Sequence, residues 1–179
     1  REATHRTPLI VVGMVALFAQ AAFFGASVLT FTTHNLGMLT LLERSFWWSA
    51  VVPATAWFHF CALVAQQVVE RRADDSIWSP LVLIVYGVAA LIIVLGTSTD
   101  VFIVYSQPIV ATAERYAYLE RGPAYPLQIA FLGLTTLAAA FNLVRALRRL
   151  SQSQEPRLHT LAQPLKLLVA GAVLFVVGA

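Results

Sequence analysis

The sequence predicts an all-α, polytopic transmembrane bundle of about five helices with a short extracytoplasmic loop or β-hairpin. Three observations carry that prediction. Hydrophobic residues fill 59% of the 179 positions and charged residues only 12%, whereas soluble domains carry roughly 25% charged residues. The apolar residues gather in runs of about 20, the length that crosses a bilayer core as helix. The basic residues between those runs fall mostly on one side of the alternation.

The runs are 8–33, 46–69, 78–97, 126–147 and 164–179, which together make one transmembrane helical domain over 1–179. Pro8, Pro126 and Pro164 stand near the starts of three runs, and Pro80 near the start of the third. Proline suits a first helical turn, where its missing N–H has no partner anyway. Pro53 lies inside the second run, where it kinks the helix or marks its first turn. Trp47, Trp48 and Trp78 fall near run ends, as aromatic belts do. Gly25, Gly87, Gly96, Gly133 and Gly171 read as points of close helix packing. The chain opens on Arg1 and stops inside an apolar run that needs a few more residues to cross, so a longer polypeptide is expected.

The loops set the orientation. Arg1, Arg6, Arg71, Arg72, Arg145, Arg148, Arg149, Arg157 and Lys166 fall on one side; Arg44, Arg115 and Arg121 fall on the other. The positive-inside bias puts the first side, and the N-terminus, in the cytoplasm. Arg145, Arg148 and Arg149 then form an inner-leaflet anchor, each worth about 1 kcal/mol near an anionic surface. The longest outer loop, 98–125, reads as a strand over 101–105, an interruption at Pro108 and a period-two stretch over 114–120. A small hairpin closed by Gly122-Pro123 is one reading and an interfacial amphipathic helix the other.

Chemistry-bearing residues are sparse. His59 is the one histidine inside a membrane run, and an ionisable residue at that depth is a functional candidate by default. A neutral histidine bonded to a neighbouring helix is the plainer alternative. Gln20, Gln66, Gln67 and Asn142 serve as interhelical hydrogen-bonding groups, at about 0.6 kcal/mol each. Trp57, His59 and Gln66 are the candidate lining of a ligand pocket, with Tyr105, Tyr116 and Tyr118 near its mouth. Cys61 is the sole cysteine, which excludes a disulfide framework and a Cys-based metal site. No phosphate-binding loop, HExxH, paired cysteines or dinucleotide fingerprint occurs. No basic-aromatic surface suited to nucleic acid occurs either. The reading is therefore no enzyme, no cofactor and no metal. The expected partners are the lipid bilayer and other membrane chains or a second copy.

Pro53-x3-Trp57-Phe58-His59-Phe60, followed by Glu70-Arg71-Arg72, resembles the seven-helix membrane region at the N-terminus of many bacterial histidine kinases. Gly122-Pro123-Ala124-Tyr125 resembles a later feature of that region. Arg157 and Gln163 ahead of Val169-Ala170-Gly171-Ala172 resemble the start of its sixth helix. The resemblance covers the chain from about Pro8 onward. It implies a sensory region of a bacterial inner membrane, coupled to a cytoplasmic output domain that this chain does not contain. The alternative is an accessory or structural transmembrane subunit of a photosynthetic or respiratory complex.

Overall fold

A computed structural model describes residues 2–33, 35–69, 79–110, 117–152 and 166. Their elements are α1 (Glu2–Thr32), α2 (Leu36–Val69), α3 (Pro80–Ser98), β1 (Ile103–Val110), β2 (Ala117–Arg121) and α4 (Tyr125–Gln152). Among the described residues, four helices are long and apolar enough to cross a membrane: Pro8–Thr32, Gly37–Gln66, Pro80–Ser98 and Tyr125–Gln152. The chain is thus a multi-pass membrane protein by the length and composition of its helices. The expected fifth helix, 164–179, lies outside the described residues apart from Lys166.

The boundaries depart from the expected ones where charged residues continue a helix instead of ending it. α2 begins at Leu36, ten residues before the expected start. Asn35 explains the early start: its Oδ1 accepts from the Met38 N–H at 3.2 Å and its carbonyl from the Leu39 N–H at 2.9 Å. That is an N-cap, which satisfies donors a helix start leaves open. Glu43 and Arg44 are carried inside the helix rather than in a loop. Pro8 stands inside α1 rather than in its first turn, and Pro53 well inside α2. Pro80 behaves as expected, at the first position of α3 behind Ser79, whose side chain accepts from the Val82 N–H at 3.3 Å. α4 runs on to Gln152, so Arg145, Arg148 and Arg149 ride on its final turns.

α2 is the hub. It packs extensively against α1, α3 and α4, and its partners meet it in two buried layers. In one layer Phe58, Cys61 and Ala65 of α2 meet Val82 of α3 and Ala139, Leu143, Ala146 and Leu150 of α4. In the other, Trp47 and Val51 meet Ala89 and Ile92 of α3 and Phe102 from the segment after it. These pairings run α3 antiparallel to α2 and α4 parallel to it. α1 runs antiparallel, with Gly13 beside Phe60 and Phe18 stacked on Trp48 at 6.4 Å. The buried face of α4, Gln128, Thr135, Ala139, Leu143, Ala146 and Leu150, recurs every three, four or seven residues, the spacing of one helix stripe. The opposite faces stay apolar: Leu17, Phe18, Leu83, Ile84, Leu134 and Phe141 are all exposed. A soluble bundle would make those faces polar; hydrocarbon needs no such change.

Two expectations about packing are corrected. Trp47 is no belt residue: it is 4% exposed and donates its indole N–H to the Ile92 carbonyl at 3.2 Å. The early start of α2 draws it down into the bundle. Of the glycines, only Gly96 among the expected and described ones marks a tight approach, where a Cβ would overlap the Trp47 indole. A Cβ on Gly25, Gly87 or Gly133 would meet nothing within 4 Å.

The segment after α3 is anchored to the helix ends. β1 and β2 pair antiparallel, from Ile103 opposite Arg121 to Val110 opposite Ala117. The register shifts between Val104 and Pro108, since proline has no N–H for the ladder. Gly122-Pro123 does not close a turn between the strands. It leads from β2 into α4, with the Gly122 N–H donating to Phe102 at 2.7 Å and the Ala124 N–H to Val101 at 2.9 Å. A Cβ on Gly122 would overlap the carbonyls of Val101 and Asp100, so the close backbone approach requires glycine there.

Candidate functional site

Two polar features stand inside the bundle, at different levels of α2. The first is His59. It is 1% exposed on the inner face of α2. Its Nδ1 lies 3.3 Å from the Tyr86 hydroxyl of α3, a hydrogen bond whose donor depends on the imidazole tautomer. The two rings meet edge to face at 5.6 Å. A histidine this deep is held by a neighbouring helix, as polar groups in hydrocarbon generally are. Trp57, its expected companion, stacks instead on Phe60 at 5.4 Å, half-buried on another side of α2. Gln66 is half-buried two turns further on. Tyr86 is the partner that sequence reasoning missed, because helix-to-helix pairing is not written in either helix alone.

The second feature lies at the end of the bundle that carries the paired strands. Trp47, Phe102, Gly96 and Tyr105 form its floor. Tyr105, 7% exposed, donates its hydroxyl to the Gly96 carbonyl at 3.1 Å. The Arg44 guanidinium covers the Tyr105 ring at 4.4 Å and reaches Asp100 at 3.4 Å. Burial first, then the nearby Glu43 and Asp100 carboxylates, push the Tyr105 phenol up to about 12, against the opposing pull of Arg44. Tyr105 therefore stands at this end, apart from His59. Tyr116 and the side chain of Tyr118 lie outside the described residues.

Beside that floor, α1, α2 and the start of α4 enclose an open cavity of about 290 Å³. Its aromatic wall includes Phe23, Phe46, Trp47 and Tyr125. Its polar lining is Glu43, Gln128, Ser27, Thr30 and Ser49. Trp57, His59 and Gln66 do not line it. Neither Glu43 nor Gln128 was singled out in the sequence. Glu43 falls between the apolar runs, and Gln128 stands out only through its place on the buried stripe of α4. At the opposite end, Arg145, Arg148 and Arg149 flank a shallow groove of about 380 Å³ with Phe141 and Val144. Among the described residues no cluster of three or more His, Cys, Asp or Glu side chains could hold a metal ion. Comparison of the chain with known protein families, curated proteins and solved structures finds no match.

Proposed function

We propose that the chain is a membrane-embedded sensory region that couples a stimulus to an output domain on the cytoplasmic side. One observation carries the reading: α2 is a single helix from Leu36 to Val69 that contacts the three other described helices and bears both polar features, the strand-end cavity near Glu43 and the buried His59. Anything that moves α2 at one end must repack it at the other, because packed interiors shift between discrete arrangements rather than deform smoothly. Pro53 sits between the two features and withholds one helix hydrogen bond there, which lowers the cost of bending between them. A ligand biases such an equilibrium only by its differential affinity for the two packings. In this reading the strand-bearing end faces outward and the arginine-bearing end of α4 faces the cytoplasm, in line with the positive-inside bias. The membrane is a bacterial inner membrane, by the resemblance to histidine-kinase membrane regions.

Intact mass and peptide mapping of the native polypeptide test the reading. A cytoplasmic signalling domain in the same polypeptide supports it. A polypeptide without one, co-purifying with stoichiometric membrane subunits, overturns it in favour of an accessory subunit whose exposed apolar faces on α1, α3 and α4 are covered by neighbours.

A further inference from the structure

The strand-end cavity is rich in hydrogen-bond acceptors. The hydroxyls of Ser27, Thr30 and Ser49 each donate to a carbonyl of their own helix, those of Phe23, Ala26 and Phe46, at 2.8, 2.9 and 2.6 Å. A hydroxyl has one proton, so each oxygen is left with lone pairs only. Gln128 is 3% exposed, and its Oε1 is buried without a hydrogen-bond partner. Pro53 has no N–H to offer the carbonyl of Ser49, four residues earlier. Glu43 adds a carboxyl group. Among the described residues the ion pair is Arg44 with Asp100, so the arginine beside Glu43 is engaged elsewhere. Arg121 lies over the ring of the lining residue Tyr125 at 4.9 Å, and it is exposed.

We infer that this cavity binds a primary ammonium group. Acceptors outnumber the donors that the described lining keeps, which are the Gln128 amide N–H groups and the Tyr125 hydroxyl; an ammonium brings three donors and a positive charge to the Gln128 Oε1, the three spent hydroxyls and the Glu43 carboxyl. Phe23, Phe46 and Trp47 add aromatic side chains, the kind that attracts cations, and Tyr125 already holds one in Arg121. A divalent metal ion fits poorly, because hard cations gather several carboxylates and the cavity has one. The volume of about 290 Å³ lies at the small end for small-molecule sites, which run to about 1,000 Å³. The same ammonium chemistry belongs to a free alkylamine and to the headgroup of phosphatidylethanolamine. As a stimulus site the cavity rests on the sensory reading; as a binding site it does not.

The test is equilibrium dialysis of labelled n-butylammonium against the full chain in phosphatidylcholine nanodiscs. Saturable binding at one site per chain is expected. Glu43→Gln and Gln128→Met are each expected to weaken it about tenfold, which corresponds to about 1.4 kcal/mol. Gln128→Met keeps the side chain's size and removes an unpartnered buried carbonyl, so it is expected to fold at least as firmly as the parent. It keeps the test decisive if Glu43→Gln fails to fold. Tetramethylammonium, which has the charge but no N–H, is expected to compete about tenfold less well. Displacement of butylammonium on adding phosphatidylethanolamine to the nanodiscs assigns the natural group to lipid; undiminished binding assigns it to a free amine. Absence of saturation overturns the inference. So does wild-type affinity in Gln128→Met, or equal competition by tetramethylammonium and potassium. Binding by a polypeptide that lacks an output domain would overturn the sensory reading and leave the site standing; the reverse pair of results would do the opposite.

Discussion

Gly96→Ala should destabilise the protein although it replaces the poorest ordinary helix former with the best. The added methyl would overlap the Trp47 indole at Nε1, Cε2 and Cδ1. The indole cannot simply swing away. It is 4% exposed, stacks on Phe102 at 5.9 Å and donates to Ile92 at 3.2 Å. Displacing it strands a buried N–H, which costs about 1–3 kcal/mol. Overpacking the site costs about 1–3 kcal/mol more. Against these stands the propensity gain of about 1 kcal/mol for alanine over glycine. The net expectation is a loss of about 3 kcal/mol, within a range of about 1–5 kcal/mol. Gly87 is the internal control, on the same helix with nothing near its Cβ position. Gly87→Ala should be neutral or stabilising by up to about 1 kcal/mol. Unfolding free energies measured by denaturing-detergent titration or steric trapping in bicelles give both values. In a Trp47→Leu background the Gly96→Ala penalty should largely vanish, because the group it strikes is gone. Equal stability for Gly96→Ala and Gly87→Ala would refute the close contact between α2 and α3.

The Tyr105 phenol, pushed up to about 12 from 10.0, should keep its proton after exposed tyrosines have ionised. Ultraviolet titration of the parent against Tyr105→Phe should show one tyrosinate missing until pH nears 12. The folded state holds that proton more tightly than the unfolded state, so the stability Tyr105 contributes is full below pH 10 and is lost as pH rises toward 12. Tyr86→Phe removes the hydroxyl beside His59 Nδ1 and should cost about 1 kcal/mol, measured by the same unfolding titration; no change would mean the pair contributes nothing. Asp100→Asn should cost no more than about 0.5 kcal/mol, because the Arg44–Asp100 pair spans 3.4 Å between side chains 44% and 43% exposed. A larger loss would show that Asp100 acts through something besides its ion pair.

The membrane class and four of the apolar helices were legible because hydrocarbon imposes one rule over long windows, and composition reports it directly. Helix ends were less legible, since hydropathy ends where charge begins while the helix does not. Asn35 is the true start signal of α2, and it lies eleven residues ahead of the expected start at Phe46. That shift turned Trp47 from an interfacial residue into a core one and moved Glu43 from a loop to a cavity wall. His59 was legible as buried from its run alone. Its partner Tyr86 was not, because pairing across helices depends on rotation about each axis. Gln128 was legible in principle, through the three-and-four spacing of the small and apolar residues that follow it on α4. Gly25, Gly87 and Gly133 show the limit of composition: glycine permits close packing, but only a facing side chain such as Trp47 makes use of it.

Membrane sidedness is the premise on which the cavity becomes a port for an outside stimulus and the arginine end becomes the reporting end. The direct measurement replaces Cys61 with alanine, places single cysteines at Asp100 and at Arg149 in separate variants, and exposes intact cells to a membrane-impermeant maleimide. Labelling at position 100 in intact cells, with position 149 labelled only after permeabilisation, is the predicted result. Labelling of position 149 from outside with position 100 protected would contradict the orientation and the sensory reading built on it.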